Sequence, residues 1–160
     1  MCEEFFDRLP LFQGMSAAQK EILRPLFVLC QEEAEVVIFE QGAPAENLYI
    51  VVEGEIDIVY KPEDGPAIVI GHIHPNGVVG WSAALCSPKY TSAAMCVTDC
   101  TMLRISGRDL RSLCEQYPDT GMILLDRLAA VVAERSQHAH PQVMALLEAG
   151  LRVEKPASSG

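Results

Sequence analysis

Residues Gly80 to Asp99 read GWSAALCSPKYTSAAMCVTD. A glycine ends an apolar strand and a run of small residues follows. A Ser-Pro-Lys-Tyr-Thr-Ser turn comes next, and the chain then re-enters a strand. Small residues let a ligand approach the backbone closely, and the N–H groups of a one-turn helix cradle an anion. The stretch offers a backbone cradle for an anion, set between strands.

Working outward, short Val/Ile-rich runs (EVVIF, NLYIVV, EIDIVY, AIVIGHI, TMLRI) fill the chain from about Val28 to Ile105. Turn signals separate them: QGAPAEN, the glycine of VEGE, KPEDGP and HPNG. Strands this short at such close spacing predict a sandwich or barrel. Helical spacing flanks them. Residues 3–8 and 17–27 predict N-terminal helices, with Ser16 as N-cap for the helix carrying Ile22, Leu23 and Leu26. Ser106-Gly107 with Asp109 opens a helix through Cys114, and a longer helix is predicted from Thr120 to about His138. Leu125, Leu128 and Val132 on it sit three and four apart, an apolar stripe that either packs onto the barrel or faces a partner in a dimer. Pro141 interrupts, a short helix is predicted over Gln142 to Ala149, and PASSG reads as a loose tail. The reading is one domain over residues 1–138 and an extension over 139–160, with no helix-turn-helix after the long helix.

Composition limits the function. Hydrophobic residues make up 49% of the chain and charged residues 21%, which reads as globular. The net charge of −10, with Lys and Arg spread singly, gives no electrostatic footprint for nucleic acid. No apolar run approaches the roughly 20 residues that span a bilayer. The acidic start, MCEEFFDRLP, lacks a signal-peptide layout, so a cytoplasmic location away from membranes is expected. Cys2, Cys30, Cys86, Cys96, Cys100 and Cys114 form no C-x-x-C and read as reduced, mostly buried thiols. Cys86, inside the loop, is the one weighed for redox sensing.

These motifs resemble the cyclic-nucleotide-binding domains of catabolite-activator-type regulators and kinase regulatory subunits, over roughly Phe5 to His138. LPLFQGMSAAQKEIL looks like the opening helices, and VVIFEQGAPAENLYIVVEGEIDIV like the first half-barrel with Gly42 and Gly54. GHIHPNGVVGWSAAL looks like the run into the phosphate-binding cassette, and TDCTMLRISGRDLRSL like the exit strand and helix. The resemblance implies a mainly β fold: a jelly-roll barrel (double-stranded β-helix) with N-terminal and C-terminal helices. It also implies a dimer made through the C-terminal helix.

In that family a Glu after the cassette glycine binds the ribose, and an Arg ten residues after that glycine pairs with the cyclic phosphate. Here Gly80 matches the glycine, but Trp81 and Tyr90 stand at the two anchors. No Asp or Glu occurs from Ala67 to Thr98, and Lys89 is the only cation between residues 62 and 103. A charge-assisted hydrogen bond contributes roughly 1.5–3 kcal/mol. Losing both anchors therefore lowers affinity about 10² to 10⁴-fold. What remains for a ligand is Gly80, Ser82, Thr91 and Ser92, the N–H groups of Ala83 and Ala84, the Lys89 charge, and the rings of Trp81 and Tyr90, which either stack on a ligand or fill the pocket.

His72 and His74 lie on one face of a predicted strand, as in jelly-roll metalloenzymes, but no acidic residue follows before Asp99 and no His before His138. His138 and His140 sit where a helix is predicted to end, and Glu53 and Glu55 flank Gly54 as solvent-facing strand residues. No Ser-His-Asp, P-loop or paired-acid signature appears, so no catalysis, metal or cofactor is expected. The expected function is a stand-alone regulatory module. It senses a small anionic ligand, cAMP, cGMP or a relative, and signals through its C-terminal helix as a homodimer or to a partner protein. The alternatives are a degenerate domain used as a dimerisation or docking scaffold and, more distantly, a jelly-roll metalloprotein.

Overall fold

The computed structural model describes residues 6–85 and 87–133. Helical residues 6–8 and a 3-10 turn at Pro10–Phe12 lead into α1 (Ala17–Leu23). The strands are β1 (Val28–Glu32), β2 (Val37–Phe39), β3 (Asn47–Glu53), β4 (Ile56–Tyr60), β5 (Ile68–Ile73) and β6 (Val78–Val79). The one-turn α2 (Trp81–Ala84) precedes β7 (Ala93–Cys96) and β8 (Cys100–Ser106). Helix α3 (Gly107–Gln116) and helix α4, residues 118–133, complete the described chain.

Among the described residues, two four-stranded sheets run β1-β8-β3-β6 and β2-β7-β4-β5, with neighbouring strands antiparallel. They face each other as a jelly roll with helices against one side, the fold the sequence motifs imply. Strand β3 shows how the layers form. Successive side chains on a strand point to opposite faces. Leu48, Ile50 and Val52 enter the core shared with the helices, while Tyr49 and Val51 enter the core between the sheets. Both faces are covered, so NLYIVV reads as a continuous apolar run rather than an alternation. The expected strands are present; VLCQE, which that pattern passes over, forms the edge strand β1.

Ser16 caps α1 with a reciprocal box: its hydroxyl accepts from the Gln19 N–H at 3.1 Å, and the Gln19 carbonyl Oε1 accepts from the Ser16 N–H at 3.0 Å. The helix expected over 17–27 ends earlier, at Leu23, and tightens to a 3-10 turn over Arg24–Leu26 because Pro25 donates no N–H. Phe6 stacks on Phe12 with ring centroids 3.7 Å apart, and Phe27 meets both edge-on.

On helix α4 the expected stripe packs inward at its centre. Leu128 is completely buried in the chain's own core beside Leu124, so it is not available as a partner-facing residue. Leu125 and Val132 are partly buried on the rim of the same contact. Arg127 of α4 donates from Nη1 to the Leu11 carbonyl at 2.7 Å and to the Gln13 carbonyl, tying the helix to the N-terminal turn. The end of the long helix at His138, the helix over Gln142 to Ala149, the tail, His140 and the 139–160 extension lie outside the described residues, as does Cys86.

Candidate functional site

The cassette runs from Gly80 to Ser92. Gly80 has φ +82°, a left-handed conformation that favours glycine. A Cβ there would lie 2.6 Å from the Asn47 carbonyl oxygen and 3.5 Å from a Phe39 ring carbon, so both freedom and space require Gly. Helix α2 follows with the Ala83 N–H on the Gly80 carbonyl at 3.0 Å. Ala83 is buried, and Gly107 at the start of α3 rests on it; a Cβ on Gly107 would stand 2.8 Å from the Ala83 oxygen. The cassette helix and α3 are thus in direct backbone contact.

The return limb is tied down by a short ladder. The Tyr90 N–H donates to the Ala43 carbonyl at 2.9 Å, the Gly42 N–H donates to the Tyr90 carbonyl at 2.9 Å, and the Ala45 N–H donates to the Pro88 carbonyl at 3.1 Å. This ladder aims the Tyr90 side chain inward, where it is 5% exposed. Its hydroxyl donates to the Asn47 carbonyl at 2.6 Å and accepts from the Asn47 N–H at 3.0 Å. Its ring stacks on Phe39, with centroids 3.7 Å apart and planes 14° apart, and Phe39 in turn stacks on Tyr49 at 6.1 Å. Burial pushes the Tyr90 hydroxyl above the ordinary tyrosine value, and burial followed by the nearby Tyr90 does the same for Tyr49.

The expected ligand residues therefore separate. Tyr90 is buried against Phe39 and the Asn47 backbone. Trp81 is half-buried and, with Ala84, packs against the helix-side core. Lys89 and Thr91 are exposed on the rim, and Ser82 and Ser92 are half-buried. Asn47 and Phe39, which meet both Gly80 and Tyr90, escape a reading that looks for charges. The available signal was a tyrosine at the arginine position in a chain that also carries Phe39 and Tyr49 on neighbouring strands.

The two described histidines, His72 and His74, each face a carboxylate. His72 Nδ1 lies 2.6 Å from Asp57 Oδ1 across the β4–β5 pair, and His74 Nδ1 lies 3.0 Å from Glu55 Oε1 just beyond the open end of that pair. No group of three or more metal-ligating side chains is gathered among the described residues. An open groove of about 670 Å³, lined by Glu40, Gln41, Lys61 and Glu63, crosses Val59 and Ala93. Those two alternate with the buried Ile58 and Ala94, so the groove lies on the outer face of the sheet, away from the barrel interior. The Gln41 amide holds the groove's hairpin by pairing with both backbone groups of Lys61, at 2.8 and 2.9 Å.

Residues 31–117 match the cyclic nucleotide-binding domain family, and the chain belongs to that family. The rice potassium channel KOR2 is 32% identical over 130 residues, covering 78% of this chain but 18% of the channel. The similarity thus concerns one module of a much longer protein. A cyclic nucleotide-binding domain from Methylobacillus flagellatus superposes with a TM-score of 0.76 at 15% identity, over 89% of this chain and 80% of that one. The regulatory subunit of a cAMP-independent protein kinase A from Trypanosoma brucei superposes with a TM-score of 0.68 at 19% identity, over 91% of this chain and 50% of that one. At these identities the two structures share the fold. No described helix is long and apolar enough to cross a membrane.

Proposed function

We propose that this chain is a non-catalytic regulatory module whose cassette is closed by its own Tyr90 instead of by a cyclic phosphate, and which acts by docking. One observation carries the reading: the side chain at the phosphate-anchoring position is buried, stacked on Phe39, and spends its hydroxyl on the Asn47 backbone. A phosphate entering there displaces a stacked ring and two hydrogen bonds, about 3 kcal/mol in all. That is roughly 10²-fold in affinity, added to the loss of the charged anchors. The trypanosomal regulatory subunit of the same fold belongs to a cAMP-independent protein kinase A. The contact between Ala83 and Gly107 supports α3, and α4 packed behind it, as the surface through which the closed cassette is read.

A ligand at about 100 times its Kd stabilises a fold by about 2.7 kcal/mol. Wild-type protein is therefore expected to show no rise in Tm with cAMP, cGMP or cyclic dinucleotides at about 1 mM, where a Kd of about 10 μM would be plain. A micromolar response overturns the reading. It would favour the second one, ligand sensing through the cassette rim, which the exposed Lys89 and Thr91 support.

A further inference from the structure

At the end of the barrel opposite the cassette, Cys96 closes β7 and Cys100 opens β8, with residues 97–99 as the turn between them. Both are free thiols inside the barrel, 0% and 2% exposed. One carbonyl brings them together. The oxygen of Glu55 accepts the N–H of Val97, the amide immediately after Cys96, at 2.8 Å, and the Cys100 thiol at 3.3 Å. The Cys96 and Cys100 side chains belong to the same buried cluster between the sheets. Gly54 backs Cys100 so closely that a Cβ there would lie 2.7 Å from the sulfur. Two side chains hold the turn shut: Asp99 Oδ1 accepts the Ala34 N–H at 2.9 Å, and Thr98 Oγ1 accepts the Glu55 N–H at 3.1 Å.

We propose that Cys96 and Cys100 are a dithiol that a hydroperoxide converts to an intramolecular disulfide when the 97–99 turn opens, giving the barrel an oxidised and a reduced form. In the first step a thiolate attacks one peroxide oxygen. The O–O bond breaks, a sulfenic acid forms, and the departing oxygen leaves as water after taking a proton. The second thiol, losing its proton, attacks the sulfenic sulfur; the S–O bond breaks and a second water leaves. Two thiols give up two electrons and two protons, and one hydrogen peroxide becomes two waters. Excess small-molecule thiol reverses the bond by exchange.

The closed barrel restrains this chemistry. Burial, then the neighbouring Cys100 thiol, pushes the Cys96 thiol up to about 12, so thiolate is scarce until the turn opens. Loosening the turn should therefore set the rate.

The test treats the native full chain with hydrogen peroxide, blocks remaining thiols, and maps peptides by mass spectrometry. The expected product is a Cys96–Cys100 disulfide that dithiothreitol removes. Asp99→Ala, which frees the turn from Ala34, is expected to form it several times faster, and Cys100→Ser to abolish it. Recovery of both cysteines as free thiols from folded wild-type protein overturns the proposal, as does a disulfide to any other cysteine. An unchanged rate in Asp99→Ala overturns the gating by the turn. Should Cys100→Ser fail to fold, the wild-type map decides by itself.

Discussion

Replacing the Tyr90 hydroxyl with hydrogen removes both bonds to Asn47 while leaving the ring on Phe39. Two backbone groups then lose a buried partner. Tyr90→Phe is expected to lower stability by about 1–3 kcal/mol, measured by urea denaturation. Its far-ultraviolet circular dichroism should stay native, because the stacked ring is untouched. A change below about 0.5 kcal/mol would mean that water replaces the hydroxyl and that Tyr90 is no lock. At this scale the sequence already reported that the two charged anchors are missing. It did not report which way Tyr90 points. That direction is set by the ladder to Ala43 and Gly42 and by Asn47, groups some 40 positions away in the chain.

Helix α4 shows a similar division at the level of an element. Helical spacing placed the helix, but Leu124, Leu125, Leu128, Val131 and Val132 span an arc wider than one stripe. Several sets of three and four satisfy the spacing equally well, and the tertiary contact chooses among them. It buries Leu124 and Leu128 and leaves Leu125 and Val132 at the rim. Leu128→Ala is therefore expected to cost about 2–5 kcal/mol in chemical denaturation. Met122→Ala, on the opposite face and 65% exposed, is expected to stay within about 0.5 kcal/mol. Equal effects of the two would remove Leu128 from the core. Capping was more legible than packing direction. Ser16 and Ser106 each cap the helix expected of them, because a cap bond reaches only three residues along the chain.

For the whole molecule, the buried phenols make alkaline pH the sensitive side. The unfolded chain ionises tyrosine near pH 10. Folding raises Tyr90 and Tyr49, chiefly by burial, and so holds them protonated. Their contribution is complete below about pH 10 and is lost as pH rises through the raised folded values. The urea midpoint should fall more steeply above about pH 10 in wild type than in Tyr90→Phe. Parallel profiles would show that Tyr90 is not the group responsible. The barrel itself was open to sequence reasoning, because turn residues and strand runs act locally. Closure of the cassette was not, because it joins β2, β3 and the return limb at once.

The bond from Arg127 to the Leu11 carbonyl bears on where this domain begins and ends. The family match stops at residue 117 and starts at 31. Yet Phe6, Phe12, Leu124 and Leu128 all lie outside those limits and are buried together in one core. A fragment trimmed to the recognisable region would carry the cassette and most of the barrel with the helix-side core laid open to water. The span that descent has kept readable is shorter than the span that folds, and the two terminal segments that make up the difference are stitched to each other.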